Sequence, residues 1–202
     1  GEWDPARENS FAPALCNRID RNTGGIVIAA KNAEALRIMD EKVKNREIEK
    51  IYLAAVVGTP RPAAGRLEGY LFKDAVKNRV YVTSTPQKGA KTCCTLYRTL
   101  QTKNGLSLVE CELITGRTHQ LRLHCKMAGV PILGDPQYAS PASMLFSCAR
   151  GLFTQQLCAA SLELLHPVTG QPLVISTRKT VSTGDEQLHF DALLAQHDAR
   201  VV

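Results

Sequence analysis

The sequence predicts an α+β domain, with a mixed, mainly antiparallel central sheet flanked by helices. Many short apolar runs follow one another in hairpin-like series, separated by turn-forming stretches such as Pro86-Gln87-Lys88-Gly89 and Lys103-Asn104-Gly105. Only a few segments between them carry helical periodicity. No internal linker, repeat or low-complexity stretch divides the 202 residues, so a single domain over residues 1–202 is expected.

In chain order, residues 1–14 contain Pro5 and Pro13 among mixed polar residues and read as an irregular lead-in. Residues 25–30, with the apolar run Ile26-Val27-Ile28-Ala29-Ala30, read as a buried strand. Asn32 then opens a helix, because its side chain can cap the first amides and Glu34 suits the positive end of the dipole. Leu36, Met39 and Val43 give that helix one apolar face, while Glu34, Arg37, Glu41 and Lys44 occupy the other; it should end near Arg46. A second strand, Ile51-Tyr52-Leu53-Ala54-Ala55-Val56-Val57, stops at Gly58, and Pro60 and Pro62 mark the loop after it. Short strands follow at 66–71, 79–83, 93–100 and 107–114. Thr118 to Ala128 reads as a helix ended by Gly129, residues 136–156 as a long loop with one poorly defined turn, and 157–165 and 172–177 as strands before a terminal helix near 186–196.

Lysine and arginine total 25 against 19 acidic residues, giving a net charge of +6 and a pI near 9.0. A basic balance of this size suits phosphate contact with nucleic acid without demanding it. No apolar run approaches the roughly 20 residues that span a bilayer, and no signal-peptide pattern opens the chain, so the cytoplasm is the expected compartment and no membrane partner is expected. The seven cysteines are an odd number with no Cys-x-x-Cys pair, which argues against a disulfide framework or a zinc knuckle; they read as reduced and structural.

Three stretches carry chemistry. In Asn17-Arg18-Ile19-Asp20-Arg21-Asn22-Thr23-Gly24-Gly25 a carboxylate lies between two guanidinium groups, which favour its ionised form. Taken alone, the cluster fits a solvated surface set more readily than a site. In Lys50-Ile51-Tyr52-Leu53-Ala54-Ala55 a tyrosine opens an aliphatic strand, and taken alone it reads as a strand-edge aromatic. In Thr115-Gly116-Arg117-Thr118-His119-Gln120-Leu121-Arg122-Leu123-His124 a strand turns directly into a helix, whose first amides and Arg117 would face an anion; solvated arginines on an amphipathic helix are an equal reading. His119 and His124 are five apart with no acidic residue between them, so no helical metal pair is expected.

At these residues the chain resembles the RluA-type pseudouridine synthases, which isomerise uridine in structured RNA. Their signature His-Arg-Leu-Asp-Arg-x-Thr-Ser-Gly is similar to residues 17–25, their Lys-x-Tyr to Lys50-Ile51-Tyr52, and their third block to Gly116 through His124 with Pro131-Ile132-Leu133-Gly134-Asp135-Pro136. His166-Pro167 after an apolar strand also fits, so the matches run in the family's order over residues 16–167. The resemblance implies the pseudouridine synthase catalytic fold and an isomerase that needs no cofactor and no metal. It makes Asp20 the catalytic carboxylate, Tyr52 the residue that stacks on the target uracil, and Arg122 the ion-pair partner that keeps Asp20 charged. Arg18 would fill the space left by the flipped nucleotide, and Arg21, Arg117, His119 and Gln120 would contact the RNA, ribosomal rather than transfer RNA being favoured.

The chain departs from the family where Asn17 stands for histidine and Gly24 for serine. It also lacks the Lys-Pro-x-Gly strand that normally precedes the aspartate, so a fragment missing the leading segment is expected. The competing reading is an RNA-binding or ribosome-assembly module that keeps the fold without catalysis. A cysteine–histidine hydrolase using Cys125 or Cys16 is disfavoured, because His124 and Cys125 are helix neighbours pointing about 100° apart.

Overall fold

A computed structural model describes residues 11–74 and 79–177. The expected terminal helix near 186–196 and residues 1–10 of the lead-in lie outside the described residues. The elements run β1 (Ala14–Leu15), β2 (Gly24–Gly25), β3 (Ala29–Ala30), α1 (Ala33–Asn45), β4 (Glu49–Val57), β5 (Ala64–Asp74), β6 (Arg79–Thr83), β7 (Lys91–Lys103), β8 (Leu106–Leu113), α2 (Gln120–Met127), α3 (Pro141–Cys148), β9 (Leu157–Leu165) and β10 (Pro172–Ser176). The large sheet has the order β10-β9-β4-β8-β7-β5-β6, every neighbour antiparallel. β2 joins the N-terminal half of β9 in parallel, with Gly24 opposite Cys158 and Gly25 opposite Ala159, which makes the sheet mixed.

The sheet is buried on both faces where β4 crosses it, and Ala54, Ala55 and Val56 are fully buried. Tyr52, Ala54 and Val56 face Val109 and Cys111 of β8 and Leu121 and Cys125 of α2. Leu53 and Ala55 point the other way, toward Leu106, Leu108 and Leu133, with Phe146 of α3 against them. The register of β4 on β9 slips between Ile51, opposite Ser161, and Tyr52, opposite Ala159, leaving Ala160 as a bulge. The slip brings Leu162 opposite Lys50, on the Tyr52 face, where it meets Met39 of α1. The α1 helix starts and stops as its sequence dictates. Asn32 Oδ1 accepts from the Ala35 amide at 2.8 Å, and Arg46 closes the helix in the left-handed region at φ 62°.

Four expectations are corrected. Residues 25–30 are not one buried strand. Gly24-Gly25 belongs to the large sheet, whereas Ala29-Ala30 pairs with Ala14-Leu15 in a separate two-stranded ribbon, and Val27 is 41% exposed. The strands expected at 66–71 and 93–100 extend over Ala64–Asp74 and Lys91–Lys103, because paired neighbours carry them past their apolar centres. The helix expected from Thr118 begins at Gln120, after His119 takes a left-handed φ of 57°. Within the expected loop 136–156 lies α3, started by a capping box between Ser140 and Ser143 with Pro141 in the first turn. Its buried positions are Ser143 and Ser147, while Met144 and Leu145 are exposed, so its polarity is inverted and periodicity does not reveal it.

Buried polar groups tie the α2 face together. His124, 1% exposed, meets Thr95 Oγ1 through Nδ1 at 2.9 Å and Cys93 Sγ through Nε2 at 3.2 Å. Burial pulls the His124 pKa from 6.5 to about 4, and burial pushes the Cys93 thiol up, so both groups are neutral and sealed in the interior. An activated thiolate needs the reverse arrangement.

Two outcomes follow from these positions. The folded-state pKa of His124 lies below its unfolded value, so its contribution is present above pH 6.5 and is lost as pH falls toward about 4. Urea melts between pH 7.5 and 4.5 should show a loss on the order of 3 kcal/mol from this group, and His124→Gln should flatten that slope. Gly25 has φ 107°, and a Cβ on it would lie 2.2 Å from Ala159 O. Gly25→Ala should therefore cost about 2–4 kcal/mol in the same assay.

Candidate active site

The chain segment from Asn17 to Thr23 is shaped by its own polar atoms. Asn17 Oδ1 accepts from the Ile28 amide at 2.7 Å, and its Nδ2 donates to Ile26 O at 3.4 Å, so one amide side chain spans the segment on either side of the turn. The Thr23 amide donates to Asp20 O at 2.9 Å, closing a turn with Asn22 at φ 66°, a conformation asparagine tolerates. Gln155, almost fully buried, reaches across from just before β9 and donates to Arg21 O and to Thr23 Oγ1. Ile19 packs on the apolar cluster of the sheet, next to the Tyr52 layer. A Cβ at Gly24 would meet nothing within 4 Å, so the serine usual in the resembled signature would fit and Gly24 imposes no steric change.

This segment forms one wall of a cleft of about 480 Å³ on the Tyr52 face of the sheet. Asn17, Arg18, Asp20 and Thr23 line it from one side, Lys50 and Tyr52 of β4 from the floor, and Gly116, Arg117, Thr118 and Gln120 from the other. Met39, Val43, Ile48 and Leu162 make its deep end apolar. Tyr52 is 8% exposed. Burial, followed by the Asp20 charge, pushes its hydroxyl up to about 12, so it is a neutral phenol at physiological pH. Burial also lowers the Lys50 ammonium, which lies against Gly116, where a Cβ would come to 3.8 Å of Nζ.

Arg122 behaves differently from expectation. Its Nε and Nη2 donate to the two oxygens of Asp135 at 2.7 and 2.8 Å, a bidentate pair in which both residues are buried. Its ion pair therefore runs to Asp135 and not to Asp20, although the Asp20 charge acts on it as well. Burial works against ionised Asp135, but the Arg122 guanidinium and the Gln137 and Tyr138 amides outweigh it and hold the carboxyl below the usual range. Tyr138 lies under Arg122, with Cζ 4.8 Å from the ring centroid. Its hydroxyl meets His119 Nδ1 at 2.8 Å, and the two rings stand edge to face. Burial keeps His119 below its ordinary pKa, against the pull of Asp20.

The turn before α2 is not the open anion site expected of it. Gln120 Oε1 accepts from the Arg117 amide and from Thr115 Oγ1, and its Nε2 donates to Cys94 O and Thr95 Oγ1. The Gln120 side chain thus braces the turn, and Arg117 Nε is held by Thr92 O at 3.2 Å. Arg18 and Arg21 are exposed; Arg18 lines the cleft, and Arg21 is not among its lining residues. Asp135 and Tyr138 are the partners of Arg122 and His119 that sequence reading missed. Gly134-Asp135-Pro136 belongs to the third motif, but Tyr138 carries no signal without the turn that folds it back.

Comparison with known proteins places these motifs in a family. Residues 3–127 match the RNA pseudouridylate synthase family. An uncharacterized RNA pseudouridine synthase of Chloroflexus aurantiacus is 36% identical over 83% of this chain and 50% of its own length. The ribosomal large subunit pseudouridine synthase C of Vibrio vulnificus is 32% identical over 80% of this chain and 50% of its own. The chloroplastic RNA pseudouridine synthase 2 of Oryza sativa subsp. japonica is 34% identical over 71% of this chain and 33% of its own. The chain thus spans a third to a half of the length of these relatives. Among solved structures, human RNA pseudouridylate synthase domain containing 4 superposes with a TM-score of 0.67 at 25% identity, over 84% of this chain and 72% of that one. Human RNA pseudouridylate synthase domain containing 1 has the same fold, with a TM-score of 0.71 at 23% identity over 94% and 83% of the two chains.

Proposed function

The chain belongs to the RNA pseudouridylate synthase family, and on that premise we propose that it isomerises specific uridines in structured RNA to pseudouridine. The observation that carries the reading is the convergence of Asp20 and Tyr52 on one cleft, from two separate sequence motifs. The reaction breaks the N1–C1′ bond, turns the uracil and joins C5 to C1′, with the C5 proton lost and N1 protonated. No net oxidation or group transfer occurs, and side chains suffice for each step. Asp20 supplies the carboxylate that attacks or stabilises the reacting ribose or base. Tyr52, a neutral phenol beside it, offers an aromatic face to the uracil and a hydroxyl near the reacting edge. A base must leave its stack to reach this depth, and Arg18, exposed at the rim, is placed to fill the gap it leaves. Arg21 and Arg117 supply positive charge for the RNA backbone and His119, driven toward its neutral form, a polar contact, while Gln120 holds the turn that carries Arg117. Ribosomal RNA is the proposed substrate class, supported by relatives named for the large ribosomal subunit, and the proposed compartment is the cytoplasm. No helix among the described residues is long and apolar enough to cross a membrane.

Tritium release from RNA labelled at uridine C5 tests the reading. The protein should release label in proportion to time, and Asp20→Asn should lower the rate by at least about 10³-fold, roughly 4 kcal/mol of barrier, with RNA affinity within about threefold of the parent because uncharged Asn preserves the shape. Tyr52→Phe, which keeps the aromatic face, should retain affinity and lose about 10- to 100-fold in rate. Undiminished release by Asp20→Asn overturns the role of that residue. RNA binding by the unaltered protein without release establishes the non-catalytic binding module instead.

A further inference from the structure

Lys50 is the cation of the cleft floor, and it has no partner there. It shares the cleft face of β4 with Tyr52, two residues and roughly 6.6 Å away along the strand. Its cross-strand neighbour on β9 is Leu162, and Met39, Val43, Ile48 and Leu113 complete the apolar lining of that end. Strand alternation puts the nearby glutamates on the other face of the sheet. Glu163 pairs with Glu49 and Glu112 with Ile51, so all three point away from the cleft. There, burial and then the charges of Glu112 and Glu163 push the Glu49 carboxyl up. Among the described residues Lys50 therefore has no ion pair and no hydrogen bond. Its ammonium lies against Gly116, on the wall across from Asp20.

A lysine that served only solubility would extend its stem and carry its charge out to water. Lys50 is instead half-buried, and burial lowers its pKa with no neighbouring charge to oppose the shift. Holding an ammonium in such a place costs free energy that neither a salt bridge nor a hydrogen bond returns. A perturbed charge in a cleft, without a structural partner, marks a group whose partner is the substrate.

On the pseudouridine synthase reading of the cleft, we propose that Lys50 is a catalytic residue. Its ammonium donates hydrogen bonds to a carbonyl oxygen of the uracil and stabilises the anion that the base becomes as it leaves the ribose. When the N1–C1′ bond breaks, its electron pair stays with the uracil and the charge spreads over N1, O2 and O4. The ribose carbon is left to Asp20 on the opposite wall. C5 then joins C1′, C5 loses its proton and N1 gains one, while Lys50 keeps its own proton throughout. The placement favours the base over a phosphate. Phosphates stay with the RNA backbone at the rim, where exposed Arg18 stands, and only a base that has left its stack reaches the floor. The bound base is neutral in the ground state and gains little from a cation, but it is anionic in the transition state. A donor fixed in a partly desolvated cleft therefore raises kcat more than it raises affinity.

The test compares the unaltered protein with Lys50→Met and Lys50→Arg, on unmodified ribosomal and transfer RNA tritiated at uridine C5. Lys50→Met keeps the length of the side chain and removes its charge. It should lower kcat about 100-fold, as does removal of one donor to a developing oxyanion, with KM within about threefold of the parent. Lys50→Arg, which keeps a cation, should recover at least about 10-fold of that loss. Methionine suits the apolar lining, so Lys50→Met should also unfold at a higher urea concentration than the parent, which separates lost turnover from lost folding. Should Lys50→Met not fold, Lys50→Gln takes its place in the kinetic comparison. A folded neutral variant with the parent kcat overturns the inference and leaves the function intact, and a raised KM beside it assigns Lys50 to a phosphate. No turnover of either RNA by the unaltered protein overturns the functional reading and the inference together.

Discussion

The cleft depends on the parallel docking of Gly24-Gly25 against the N-terminal half of β9. Gly25 approaches Ala159 so closely that any Cβ would meet backbone, and the Ile26 amide then donates to Ala159 O at 3.0 Å. That contact fixes one end of the Asp20 segment on the sheet. Gln155, just before β9, fixes its middle, and Asn17 fixes its other end through Ile26 and Ile28. The role proposed for Asp20 needs such bracing, because a free loop would spread the carboxylate over many positions. The same strand β9 carries the bulge that turns Leu162 into the deep end of the cleft. One strand therefore sets both the Asp20 wall and the apolar end.

Electrostatically the site is organised around cations with different degrees of commitment. Arg18 and Arg21 are exposed and hydrated. Arg117 is partly engaged through Thr92. Arg122 is buried and fully charged because Asp135 answers it. A buried pair of this kind gives little net stability after both ions are desolvated, but losing one partner leaves an intolerable charge, so it acts as a strict geometric constraint. Tyr52 and His119 lie in the same field and are both driven toward their neutral forms by burial. The result is a cleft whose floor sets a neutral Tyr52 beside Lys50, with Asp20 on one wall and Arg117 on the other.

The signals that sequence reading captured are local. Asn32 caps α1 as its side chain requires, Met39 is buried as the helical spacing of Leu36, Met39 and Val43 demands, and β4 ends at Gly58. The signals it missed are those in which a partner reverses the local rule. The α3 helix buries Ser143 and Ser147 because Ser147 Oγ accepts from the Gly134 amide, and its apolar Met144 and Leu145 are left outside, so polarity points the wrong way. The start of α2 shifts to Gln120 because the amide of that side chain binds Thr115 in the preceding turn and Cys94 and Thr95 on β7, distant in sequence. His119 stands in the left-handed region beside Tyr138, a contact that residue spacing does not express.

By itself the sequence determined the α+β class, the order of most elements, and the three motifs proposed to carry the chemistry, since capping, alternation and motif spacing are written in neighbouring residues. The tertiary structure decided which of these residues meet. It took Asp20 and Tyr52, far apart in the chain, to one cleft, and it assigned Gln120 to bracing the turn. It also gave Arg122 to Asp135 in place of Asp20. The physical reason is that a buried guanidinium takes the carboxylate that can offer two oxygens in its plane while the backbone satisfies the rest. That geometry exists only after the Gly134 turn has folded Asp135 and Tyr138 back over α2.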